Sequence, residues 1–135
     1  MGLVRFIPRT ECPVRQPAHL EVITNWLFDS VNHYRVSVGK PRLELDSTLC
    51  EFASLRAGQI VNNFSHAGFA GNPYRQYYYE MGEALARDYQ DREVIVESWV
   101  ASPLHEEILA GNYNVGCVAY RLVDDRLFVA LEVAR

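Results

Sequence analysis

Trp99-Val100-Ala101-Ser102-Pro103-Leu104-His105 is the stretch whose reading decides the fold, because it closes one helix and opens the next. Upstream, Val94, Ile95, Trp99 and Val100 recur at three- and four-residue spacing. They predict a helix over 91–101 with an inward apolar face and Asp91 as its cap. Downstream, Ser102 reads as an N-cap and Pro103 as the first helical residue, where a missing N–H costs nothing. That second helix is short, reaches about Ala110 and stops at Gly111. Beyond it, 115–122 and 126–133 alternate apolar and polar residues on either side of Asp124-Asp125, the pattern of a β-hairpin.

Working back from residue 91, Met81–Leu85 reads as a further strand, and 62–73 as a loop rich in Asn, Gly and Pro. Asp46 or Ser47 opens a helix over 47–61, with Thr48-Leu49-Cys50-Glu51 as a capping box. Its apolar face is Leu49, Phe52, Ala53, Ala57, Ile60 and Val61. Leu43-Glu44-Leu45 is an extended link. A first helix over 18–38 carries Leu20, Ile23, Leu27, Val31 and Tyr34, with Trp26 alongside, and is stopped by Gly39 and Pro41. Residues 1–16, with Pro8 and Pro13, form an N-terminal extended arm, and 17–135 a single domain. The fold class is α+β: a small three-stranded antiparallel sheet with helices on both faces.

The bulk numbers agree with one soluble globular domain: 135 residues, 49% hydrophobic, 22% charged and a net charge of −4. No basic run supplies a nucleic-acid footprint, and no apolar stretch reaches the ~20 residues of a membrane helix. The apolar start Gly2-Leu3-Val4 is broken by Arg5 and is too short for a signal peptide. Among 13 basic residues only Lys40 is lysine; arginine makes fork-shaped, partly desolvated contacts that lysine makes poorly, although base composition accounts for such a bias equally well. Cys12, Cys50 and Cys117 are an odd, widely spaced set, neither a disulfide framework nor a zinc knuckle. Cys50 on an apolar helix face and Cys117 in a strand read as small buried hydrophobes, with a bridge between them allowed but not called for.

Four motifs follow in order: Phe64-Ser65-His66; Gly82-Glu83-Ala84-Leu85-Ala86; Trp99 to His105; and Asn112-Tyr113-Asn114-Val115-Gly116-Cys117. Asn32-x-Tyr34-Arg35 and Pro41-x-Leu43-x-Leu45-Asp46 precede them. Together they resemble the CAP superfamily (cysteine-rich secretory, antigen 5 and pathogenesis-related proteins), in particular its bacterial SCP-like domains, over about 20–133. The resemblance implies an α-β-α sandwich with a cleft where two histidines and a glutamate hold a divalent metal. In this chain those positions are His66, His105 and Glu83. Two imidazoles, one carboxylate and an open position suit zinc and its activated water. Ser65, Ser102 and Tyr78 are expected to line the ligand cleft.

This sequence departs from the family pattern twice. A second cleft glutamate, three residues after the tryptophan in many relatives, is Ser102 here, and nothing in the sequence places Glu97 or Glu106 in the cleft. The asparagine after Glu83 is Ala84. No Gly-x-Ser-x-Gly elbow is present for a serine hydrolase. The thinned site and intact scaffold favour a non-enzymatic binding or assembly module whose cleft takes lipid, peptide or glycan. The alternatives are a metal-dependent hydrolase and a structural component of a larger assembly such as a virion, with self-association or a protein partner held through the arm. The expected location is extracellular or within such an assembly.

Overall fold

This computed structural model describes residues 18–88 and 93–135, with side chains from 25 onward except at 93. The proline-rich arm with Cys12, the side chains of His19, Leu20 and Ile23, and the Asp91 cap lie outside what is described. The elements are α1 (Ala18–Ser37), β1 (Glu44–Leu45), α2 (Ser47–Asn62), a 3-10 turn (Pro73–Tyr77), β2 (Met81–Arg87), α3 (Glu93–Ala101), α4 (Pro103–Leu109), β3 (Val115–Val123) and β4 (Arg126–Ala134).

The sheet has four strands, ordered β1-β3-β4-β2. The three longer ones are antiparallel, as the alternation predicts. The fourth, β1, is a correction: Glu44–Leu45 pairs in parallel with Val115–Gly116. Asn32 makes the difference, because its amide donates to the Leu43 carbonyl and accepts from the Leu43 N–H, at 3.1 and 2.7 Å. That clamp straightens the link and lays it beside β3. The hairpin closes on Asp124 and Asp125, both at positive φ (52° and 63°), the left-handed pair that a two-residue turn between twisted strands demands.

Three layers result. On one face, Leu27 and Val31 of α1, Ile95 and Trp99 of α3 and Leu109 of α4 pack against Ala84, Ala86, Val129, Leu131 and Val133. On the other, α2 sets Ala57 and Ile60 against Leu85, Phe128 and Ala130, and Leu49 and Phe52 against Met81 and Ala134. Val94, expected inward, is exposed, and Val96 takes its place in the core. Asp46 is the N-cap of α2, its carboxylate accepting from the N–H groups of Thr48 and Leu49, which displaces the expected Thr48–Glu51 capping box. Cys50 and Cys117 are joined by a disulfide across 67 residues, tying α2 to β3; neither is the free thiol the spacing suggested.

Candidate functional site

The site is built on the face that α2 turns to the sheet. Leu49, Phe52, Ala53, Ala57 and Ile60 bury there, and helical spacing carries position 56 along the same stripe. Residue 56 is an arginine, 1% exposed. A guanidinium can be buried only if charge and hydrogen bonds replace its water. Glu83, the odd-numbered neighbour of Met81 and Leu85 on the α2 side of β2, supplies both. Arg56 Nε donates to Glu83 Oε2 at 2.6 Å and Nη2 to Oε1 at 3.0 Å, a two-pronged pair with both side chains 1% exposed. The other donors reach Gln59 Oε1 and the Ser65 carbonyl, each at 2.7 Å.

His66 follows Ser65 in the loop after α2. Its Nδ1 lies 2.7 Å from Glu83 Oε1. Burial opposes the charge of Glu83, but the bonds from Arg56 outweigh it, with Glu132 and His66 contributing, and hold its pKa below the ordinary carboxylate range. An ionised carboxylate only accepts, so His66 Nδ1 carries the proton it donates. The His66 side chain is 58% exposed, which leaves Nε2 open to whatever enters.

His105 sits at the start of α4, with Nδ1 2.9 Å from Ser102 Oγ. This corrects the sequence reading of Ser102: its position is that of an N-cap, but its side chain caps no backbone N–H and partners His105 instead. Burial, then a smaller electrostatic effect from His66, lower the pKa of His105 from the ordinary imidazole value. Trp99 fixes α3 against the same strand, its indole N–H donating to the Leu85 carbonyl at 2.9 Å. Gly82 allows the close approach on the far side: a Cβ there would fall 2.7 Å from the Tyr113 hydroxyl and 3.0 Å from an Ile108 methyl.

Other expected residues fall elsewhere. Ser65 Oγ accepts from the Ala67 N–H within its own loop. Tyr78 packs with Phe52, Leu49 and Met81; burial first, then Asp46, push its hydroxyl pKa up, so it belongs to the N-terminal half of α2 rather than to the imidazoles. Tyr74 stacks 5.1 Å from Phe52, while Tyr77 and Tyr79 stand exposed. Glu106 accepts from the Tyr34 hydroxyl and Glu97 is exposed. His33 lines a shallow surface groove with Trp26, Asp29, Ser30 and Arg42.

Arg56 and Glu132 are the residues sequence reasoning missed. Glu132 pairs across the ladder with Glu83 and, on its other side, with Cys117. It is fully buried, and neither oxygen meets a partner at hydrogen-bond geometry. Burial, then Glu83, raise its pKa well above the ordinary value; Arg56 acts the other way and does not prevail. Of the two neighbouring carboxyls, Glu132 therefore holds its proton more tightly than Glu83. A signal for each existed: a charged residue at a core position of an otherwise apolar helix face, and a carboxyl amid the apolar run Leu131 to Val133.

The implied metal can be tested against this donor set. Both Glu83 oxygens are taken, by Arg56 and His66, and the carboxylate is almost fully buried. Among the described residues, no group of three His, Cys, Asp or Glu side chains is arranged to hold a metal ion. As the side chains stand, His66, Glu83 and His105 do not make a three-ligand site.

The fold and the motif residues meet in one comparison: the model of the cysteine-rich secretory protein family matches residues 28–131. The chain belongs to the CAP family. Among solved structures it is similar to an outer surface protein of Borrelia burgdorferi, with a TM-score of 0.71 and 24% identity over 82% of this chain and 91% of that one. An extracellular protein of Bacillus anthracis containing a SCP domain gives 0.71 and 19%, over 85% of this chain and 41% of that one. The venom allergen-like protein 4 of Schistosoma mansoni gives 0.65 and 13%, over 83% and 87%. At these identities the structures establish the CAP fold alone. A search of the curated proteins finds no match.

Proposed function

We propose that this CAP domain is an extracellular binding module whose cleft takes a peptide or glycan at the imidazoles of His66 and His105, without hydrolysing it. The observation that carries the reading is the engagement of Glu83. Arg56 bonds to both of its oxygens and His66 to Oε1, so the carboxylate is committed to holding these two side chains rather than offered to a substrate or a metal. Ser102 stands where many relatives carry a second cleft glutamate, and of the described carboxyls nearby Glu132 is fully buried and Glu106 accepts from the Tyr34 hydroxyl. The polar, hydrogen-bonding character of the two imidazoles suits amide or hydroxyl groups better than an acyl chain. The Cys50–Cys117 disulfide fits an oxidising compartment, and the similar proteins of Borrelia and Bacillus are described as outer-surface and extracellular. No helix among the described residues is long and apolar enough to cross a membrane.

The test is binding and turnover measured together. Peptide and glycan libraries titrated into labelled protein should shift the His66 and His105 ring signals with no product formed. The metal-dependent hydrolase remains the second reading, favoured by the presence of both motif histidines, each held through Nδ1 by a neighbouring side chain. Zinc-dependent cleavage of a peptide or ester, lost in His66→Ala, would put it in first place. An assembly role through residues 1–16 is a third: truncation of that arm should abolish association if the role is real.

A further inference from the structure

Arg56 touches both supports of His66. Through Nε and Nη2 it grips the carboxylate that accepts from the His66 ring, and through Nη2 it also holds the carbonyl of Ser65, the residue before His66. Gln59, one turn along α2, orients Nη1. The loop fits this group closely, since a Cβ on Gly68 would collide with Gln59 Oε1 and lie 2.5 Å from Arg56 Nη1. The guanidinium is therefore enclosed by helix, strand and loop, and its position is shared by all three.

We propose that Arg56 is the positioning residue of the cleft. It supplies the positive charge that a cation would supply in a metal centre, and so converts Glu83 from a ligand into the acceptor that fixes the ring and tautomer of His66. The clamp works from two sides. Glu83 determines which ring nitrogen is protonated, and the Ser65 carbonyl determines where the backbone of residue 66 sits. A point charge at position 56 could satisfy the first and not both, which is the physical case for a planar fork. This deepens the binding-module reading, which rests on the outward Nε2 of His66, and it separates this cleft from a three-ligand zinc site.

Two nitrogen-15 NMR experiments test it. In the wild-type protein, the Arg56 Nε–H signal should keep its shift when zinc chloride is added to saturating concentration, because Glu83 stays paired. Loss or a large displacement of that signal would show Glu83 moving to the metal and overturn the proposal. In Arg56→Lys, the His66 ring should lose the single Nδ1–H tautomer signature and show averaged nitrogen shifts, while the amide spectrum stays dispersed. A wild-type His66 signature in that variant overturns the proposal. Arg56→Met/Glu83→Gln, nearly isosteric and uncharged, provides the same readout should the lysine variant not fold. A failed ligand screen leaves both readouts intact, so the functional reading and this one fail separately.

Discussion

Two fully buried arginines sit on opposite sides of the sheet and solve the same problem in different ways. Arg35, near the end of α1, meets only backbone: Nε donates to Pro41 O at 2.9 Å, Nη1 to Leu109 O and Gly111 O at 2.7 and 2.9 Å, and Nη2 to Tyr113 O at 2.9 Å. Burial, with no carboxylate to offset it, lowers its pKa from the usual value. Arg56 meets a carboxylate. Burial again lowers its pKa, but the Glu83 hydrogen bonds and charge, then Glu132, outweigh that and raise it. Arg35 thus pins two chain segments, Pro41 and 109–113, to the end of α1 by their carbonyls, a structural role that needs no counter-charge. Arg56 stores its charge against groups that reach the cleft. The contrast separates scaffold from site within one residue type.

The largest effect is expected at Arg35. Arg35→Met removes a donor from four carbonyls, of which Gly111 O keeps the Tyr113 N–H; at about 1–3 kcal/mol for each of the three left without one, the loss should be about 5 kcal/mol. Chemical denaturation measures it, and no single second substitution should restore it, because the partners are backbone. A loss below about 1 kcal/mol would mean that water replaces the guanidinium, and the comparison would collapse. Arg56→Met should cost about 3–5 kcal/mol by stranding Glu83. Here Glu83→Gln in the same chain should recover most of the loss, and a double-mutant cycle reads the coupling directly.

Replacing Cys50 and Cys117 together by alanine should cost about 3 kcal/mol, since the bridge closes a 67-residue separation. Hydrogen exchange should then accelerate in α2 and leave the end of α1 around Arg35 nearly unchanged. Equal acceleration on both sides would show that the layers do not respond separately.

Two carboxyls on the cleft side pull the pH dependence in opposite directions. Glu83 is depressed in the folded state, so its stabilisation is present above the unfolded value of about 4.3 and is lost as pH falls through its lower folded pKa. Glu132 is raised, so its contribution is complete below about 4.3. That contribution erodes, by about 1.4 kcal/mol per unit, as pH climbs toward its folded pKa. Glu132→Gln should therefore flatten the loss of stability on the alkaline side and leave the acid limb due to Glu83. An unchanged alkaline limb would remove Glu132 from the account. Gly68→Ala should have the smallest effect, about 1 kcal/mol, with displacement of the His66 ring signals as the more sensitive measure.

What the sequence determined by itself is local or periodic. The apolar spacing of α1, α2 and α3, the Ser102-Pro103 helix start and the Asp124-Asp125 hairpin depend on neighbours within a few residues, and the motif order carried the CAP family and named His66, Glu83 and His105. What only the tertiary structure decided is partnership. Arg56 and Glu83 are 27 positions apart, Arg35 and Tyr113 are 78 apart, and Cys50 and Cys117 are 67 apart. The parallel pairing of β1 depends on Asn32 reaching Leu43 across the end of α1. A buried charge is legible in a sequence as an anomaly on an apolar face, but its compensating group lies wherever packing brings one. For Glu83 that group is an arginine from α2, and the same carboxylate lies against the ring of a histidine 17 positions back.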